Sequence, residues 1–296
     1  MSNFDMIAQL FVSGLAVGSI YALVALGYVL VYVSVNVVNF AQGDFAMIAA
    51  YFMVTLVVGL HVPWLIALII GILLIGIFGF VFQLGTFQPL KNRKRAFLPI
   101  MISTVGGSIF LEHLFLLVYG PYPQKLPGLF AVDTINIAGV HVYPQYILIL
   151  VVTIIMVALL MWFFEKTMIG RQMQATAQDP STARLMGIRV TLMTTLTWMI
   201  SASLGGLAGI LIAPVFMVTT TMGSLIALKA FAASIVGGFS SVKGAIIGGI
   251  SIGLIETFGA AYISGAYRDA FAFVILVLFL IFKPYGLFGE KVSQKV

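Results

Sequence analysis

The chain has 296 residues, of which 61% are hydrophobic and 8% charged, with a mean hydropathy of +1.15. That composition excludes a soluble domain and makes the chain an integral membrane protein. The net charge of +6 comes from basic residues beside apolar runs, a placement that fits anionic membrane lipid rather than nucleic acid, and the lack of cysteine excludes disulfides, thiolate metal sites and a cysteine nucleophile.

The apolar runs are about 20 residues long, enough for a helix to cross about 30 Å of hydrocarbon, and they lack the two-residue alternation of a membrane β-barrel. The predicted class is all-α: a polytopic transmembrane bundle with broken and short helices, forming a single transmembrane domain over residues 1–296. The start carries Asp5 but no Lys or Arg, so it lacks the basic region of a cleavable signal and the first span is expected to stay attached. Spans are predicted near 8–33, 44–59, 65–84, 97–119, 145–164, 193–213, 225–238, 245–263 and 270–282. Two of these, 225–238 and 270–282, are short enough to be half-helices or parts of tilted ones, which leaves eight or nine crossings.

Between the first two runs the chain passes through Asn36, Asn39, Gln42, Gly43 and Asp44 without a basic loop. Broken backbone at membrane depth is tolerated only where it is buried in protein or lines a cavity, so this element is expected to face the translocation path or its gate. Tyr21 and Lys229 join Asn36, Asn39, Gln42 and Asp44 as candidate path residues, with Asp44 either hydrogen-bonded to backbone donors or paired with a cation, for which Lys229 is a candidate. The competing reading of Asp44 is a helix cap, favoured by the dipole at an N-terminus. Asp44, Glu112, Lys229 and Glu256 lie in or near spans, where Asp or Lys costs about 2.5–3.5 kcal/mol at a span centre, so each must face protein or water. A pathway or proton relay and a structural ion pair both satisfy that demand. Gly14 with Gly18, Gly205 with Gly209, Gly244 with Gly248 and Gly249 with Gly253 are spaced to let helices approach closely.

Lys91, Arg93, Lys94, Arg95, Lys166, Arg171, Arg184, Arg189, Lys243, Lys283, Lys291 and Lys295 fall on one predicted face, against Lys125 and Arg268 on the other. The rule that cytoplasmic loops are rich in Lys and Arg makes the first face cytoplasmic, with the C-terminus on it. Trp64 and Trp162 fall at predicted membrane interfaces. The segment 120–144, with prolines at 121, 123, 127 and 144, is the long external loop and reads as stiffened and partly extended, either a connector or a landing surface for an external protein.

The cytoplasmic segment 165–192 contains Asp179 and Pro180, an N-cap followed by proline at the first helical position, then Gly187 at a left-handed stop. A short helix is predicted over 180–186. Ala183, Leu185, Met186 and Ile188 would form an apolar knob rimmed by Arg184 and Arg189, either a simple joint between spans or a dock for a cytoplasmic partner. No phosphate-binding loop is present, so ATP hydrolysis is not expected in this chain. The three histidines and few carboxylates show neither metal-ligand nor catalytic spacing, so no catalytic or metal site is assigned.

The sequence of residues 18–51, the central ATAQDPSTARLMGI, and the late LKAFAASIVGGFSSVKGAIIGGISIGLIETFGAAYISGAYRDAFAF closely resemble the permease of branched-chain amino-acid ABC importers, of the shorter LivH type, and the related urea permeases. Where that family usually has His-Gly-Glu, this chain has Gln42-Gly43-Asp44, which keeps a carboxylate and removes an imidazole. The family's Gly-Ser-Ile-Pro-Gly turn is Ser240-Ser241-Val242-Lys243-Gly244 here. The resemblance implies a plasma- or inner-membrane translocation subunit with a second permease chain, two ATPase subunits and an extracytoplasmic binding protein. It implies that ATP and Mg are held by the ATPases, with no cofactor on this chain, and that Asp179, Pro180, Ala183, Arg184, Leu185, Met186, Gly187 and Ile188 form the coupling segment. Urea or another small amide is the alternative cargo, an ion-coupled secondary transporter the alternative mechanism, and a membrane scaffold the reading without transport.

Overall fold

In hydrocarbon every backbone N–H and C=O must be paired within the chain, so apolar segments of this length form helices. The computed structural model describes residues 3–91, 93, 96–130, 134–137, 140–283 and 286–289. Its helices are α1 (Asn3–Val35), α2 (Asp44–Met53), α3 (Trp64–Thr86), α4 (Phe97–Tyr119), α5 (Pro144–Lys166), α6 (Met168–Gln178), α7 (Pro180–Leu185), α8 (Val190–Ile212), α9 (Met222–Gly237), α10 (Val242–Tyr262) and α11 (Arg268–Phe282). Among the described residues, eight helical segments are long and apolar enough to cross a membrane, and α9 is a shorter apolar helix beside them. Lys94, Arg95, Lys291 and Lys295 lie outside the described residues.

The core is built around α1. Every residue from 16 to 31 is buried, which is why that stretch is apolar on all sides rather than amphipathic. It packs most extensively along α10 and then α8; α2 and α3 cover α8, and α9 covers α10. The α1/α10 contact is a backbone contact: a Cβ on Gly253 would lie 2.2 Å from the Cα and N of Gly18, and one on Gly249 would lie 2.5 Å from the N of Ala22. Gly14 faces Leu254 in the same seam, Gly205 and Gly209 bring α8 against Gln42 and Ala46, and Gly244 and Gly248 bring α10 against Gly237 and Ala233. The periphery is different. Leu117 and Val118 of α4, Ile154 of α5 and Ile281 and Phe282 of α11 are exposed aliphatic and aromatic surface of the kind that lipid or another membrane subunit covers.

The polar interruption after α1 is a real break. Asn36 takes a left-handed backbone (φ 54), residues 37–39 leave the helix, and Asn39 caps a 3-10 turn (Phe40–Gln42) by accepting from the Ala41 N–H at 3.2 Å. Gln42 then donates to the Ser201 carbonyl at 2.9 Å, and the Ser201 hydroxyl hydrogen-bonds both Gln42 Oε1 (2.8 Å) and the Gly27 carbonyl (2.9 Å). Ser201 is midway along α8, so the chain has doubled back from the end of α1 before α2 begins. The buried Gln42 amide is thus satisfied through Ser201, as its desolvation demands, whereas the Asn39 amide nitrogen is buried without a hydrogen bond among the described residues. Beyond Met53, α2 continues to Gly59 as a π-helical stretch.

The end of α5 leads directly into α6, and α7 leads into α8, so α6 and α7 mark one face of the bundle. Residues 120–130, 140–144 and 213–221 lie on the opposite face, where Gln124 and Val218 are joined by two backbone hydrogen bonds of 2.9 and 2.8 Å. The long loop is non-helical as its prolines dictate, and it carries the one departure from an all-α fold among the described residues: β1 (Ile135–Ile137) and β2 (Val140–Val142), paired antiparallel.

Candidate functional site

Two assemblies carry the chemistry, one on each face. On the first face, α6 begins at Thr167, whose hydroxyl accepts from the Gly170 N–H at 3.0 Å. It ends at Asp179, which at once caps α7: one carboxylate oxygen accepts from the Ser181 N–H (2.9 Å), the Thr182 N–H (3.2 Å) and the Ser181 hydroxyl (2.8 Å), and the other from the Thr182 hydroxyl. The Thr182 and Ser181 bonds hold the Asp179 carboxyl down at about 2, so it is ionised at any physiological pH. At the far end Gly187 is left-handed (φ 80), with Gly187 N–H on the Arg184 carbonyl and Ile188 N–H on the Ala183 carbonyl, the paired bonds of a Schellman stop. Six helical residues are thus fixed at both ends. Leu185 and Met186 are 88% and 78% exposed, with Arg184 exposed beside them.

On the opposite face, a buried ion cluster joins four helices. Glu256 of α10 is fully buried; its Oε1 accepts from Lys229 Nζ of α9 at 2.8 Å and from Arg268 Nε of α11 at 2.7 Å, while its Oε2 accepts from the Tyr21 hydroxyl of α1 at 2.8 Å. Lys229 also pairs with Asp269 Oδ1 at 2.7 Å, and its ammonium lies 5.6 Å from the Tyr21 ring centre. The Arg268 guanidinium stacks over Phe216, 5.4 Å from the ring. Two cations and two anions give the cluster zero net charge, which is how ionised groups persist in an apolar bundle. The cluster forms the polar wall of a cavity of about 390 Å³ whose other walls include Val17, Ile20, Ile212, Leu225 and Ile226. A second cavity of about 560 Å³ shares Val17, Phe216 and Arg268 with it and continues past Tyr143, Gln145 and Tyr146.

The structure sorts the residues singled out in the sequence. Tyr21 and Lys229 meet in the ion cluster. Asn36, Asn39, Gln42 and Asp44 do not join them: Asn36 is exposed at the end of α1, the other three are buried in the break, and none of the four lines either cavity. The candidate Asp44–Lys229 pair is corrected, because Lys229 is held by Glu256 and Asp269. Asp44 instead occupies the first turn of α2, with Ser108 of α4 facing its carboxylate and Gly223, near the start of α9, packed against it. Both carboxylate oxygens are buried without a hydrogen bond among the described residues, at the first turn of a helix, where the dipole favours negative charge. Ala183 is also corrected: it is buried under α7, so the exposed knob is Leu185 and Met186, with Ile188 half-buried. Sequence reasoning missed Arg268 and Asp269 as site residues. The signal was a charged pair opening a helix across from two other buried ionisable groups.

These features define a class: a polytopic helical permease with a buried ion cluster on one face and a rigid capped helix on the other. The chain belongs to the family described as branched-chain amino acid transport system / permease component, whose model matches residues 10–280. It is 35% identical to the high-affinity branched-chain amino acid transport system permease protein BraD of Pseudomonas aeruginosa, over 97% of each chain. It is 32% identical to the corresponding permease protein LivH of Escherichia coli, over 96% of each. In fold it is similar to a chain of PsaBC from Streptococcus pneumoniae solved in complex with Fab, with a TM-score of 0.51 and 16% identity over 96% of this chain and 94% of that one.

Proposed function

We propose that this chain is the membrane-spanning subunit of an ABC importer that moves leucine, isoleucine and valine into the cell by ATP-driven alternating access. The observation that carries this reading is the end-to-end relationship to BraD, a permease named for branched-chain amino acids, at 35% identity. ATP is hydrolysed by two partner ATPase subunits, which hold the Mg, while this chain and a second permease chain form the path. Substrate arrives on an extracytoplasmic binding protein that lands on the face formed by 120–130, 140–144 and 213–221. The α6–α7 face is cytoplasmic, as the basic residues Lys166, Arg171, Arg184 and Arg189 require, and the C-terminus lies with it.

Asp179, Pro180, Ala183, Arg184, Leu185, Met186, Gly187 and Ile188 form the coupling helix. A lever must not bend, and a helix capped by Asp179 and stopped by Gly187 transmits ATPase closure through Leu185 and Met186 to α8. Tyr21 and Lys229 face the path, and the break held by Asn36, Asn39, Gln42 and Asp44 sets the position of its gate. Purification of the tagged chain from its native membrane tests the assembly: two ATPases, a second permease and a binding protein loaded with a branched-chain amino acid are expected. A binding protein loaded with urea would reject the cargo.

A further inference from the structure

The ion cluster is not explained by stability. Replacing buried ion pairs with apolar residues of similar volume is often neutral or stabilising, so the buried pair of Lys229 and Glu256 calls for another reason. Glu256 is saturated, with Lys229 and Arg268 on one oxygen and Tyr21 on the other, and is the fixed anchor of the group. The Lys229–Asp269 pair is different, because the Asp269 side chain is 60% exposed while that of Lys229 is 9% exposed. One half of that pair reaches the open side of the cavity, which at about 390 Å³ falls within the size range of small-molecule sites.

We propose that this cavity is a transit site for the zwitterion of an aliphatic α-amino acid. The substrate carboxylate takes the place of Asp269 on Lys229 and meets the Arg268 guanidinium. The ammonium takes Asp269, and the side chain lies against Val17, Ile20 and Ile226. Each charge exchanges one partner for another, so none is left bare in the bundle. The adjoining cavity past Tyr143 and Tyr146 is the way in. This inference rests on the cargo proposed above and deepens it, by giving the permease its own contact with both ends of the amino acid.

The test measures L-leucine binding to the purified complete importer freed of its binding protein, with 4-methylpentanoate, which lacks the ammonium, as competitor. Asp269→Asn is expected to weaken L-leucine about tenfold, through the lost ammonium contact, and not to weaken 4-methylpentanoate, whose carboxylate no longer displaces a carboxylate from Lys229. Arg268→Gln is expected to weaken both. Co-purification of both variants with the second permease and the two ATPases in the wild-type ratio reports intact assembly. Equal weakening of both ligands by Asp269→Asn, or unchanged L-leucine binding in both variants, overturns the site. If the wild-type importer with its binding protein and ATP moves no leucine, the proposed cargo itself falls; if it moves leucine and the variants bind it normally, the transit site alone falls.

Discussion

Asp179 shows how much one side chain does in a six-residue helix. Four donors converge on its carboxylate, those of Thr182 first and of Ser181 next, and they depress its titration to about 2. A carboxyl lowered in the folded state contributes stability above its unfolded value and loses it as pH falls through the folded value, so this cap weakens only between about pH 4 and pH 2. Coupling is therefore predicted to show no titration from this group between pH 5 and 8. Asp179→Ala should fray α7 and reduce cross-linking from a cysteine at Leu185 to the ATPase, while Asp179→Ser, which still caps, should retain most of it. Equal cross-linking in both variants would contradict the cap. At this scale the sequence was informative where geometry is local: Asp179, Pro180 and Gly187 announce their roles by spacing. Lys229 could not be assigned that way. Its partner Glu256 lies 27 positions away, and nothing short-range distinguishes it from Asp44 as a counter-ion.

Among elements, the α1/α10 seam is one that admits no side chain. A Cβ on Gly253 would be 2.2 Å from the Gly18 backbone, whereas one on Gly85 of α3 would meet nothing within 4 Å. Gly253→Val is predicted to force the two helices apart and cost about 1–3 kcal/mol as an overpacked core does, lowering the melting temperature of the detergent-solubilised chain. Gly85→Val is the matched control and should leave it nearly unchanged. The four-residue glycine spacing was legible in the sequence, though not which helices it would join. Helix α6 was not predicted: MIGRQMQATAQ is amphipathic but not apolar overall, so hydropathy does not mark it, and its cap, Thr167, directly follows the last residue of α5. The same holds for β1 and β2, which are too short for an alternating pattern to register.

At the scale of the whole molecule, hydropathy located the long spans because a bilayer imposes length and apolarity on every crossing. It also marked the short 225–238, seen as α9, and the polar break after α1; what it could not supply is where the chain goes at the break, because residues there are buried in protein rather than lipid and the bilayer rule lapses. The central claim is that ATP hydrolysis by partner subunits, not an ion gradient, drives amino-acid movement through this chain. The most direct measurement is uptake of L-leucine into proteoliposomes holding the complete importer, with binding protein outside, ATP inside and ionophores collapsing every gradient. The account predicts that uptake continues with ionophores and stops when ATP is replaced by a non-hydrolysable analogue. Uptake that persists without ATP and collapses with the ionophores would contradict it.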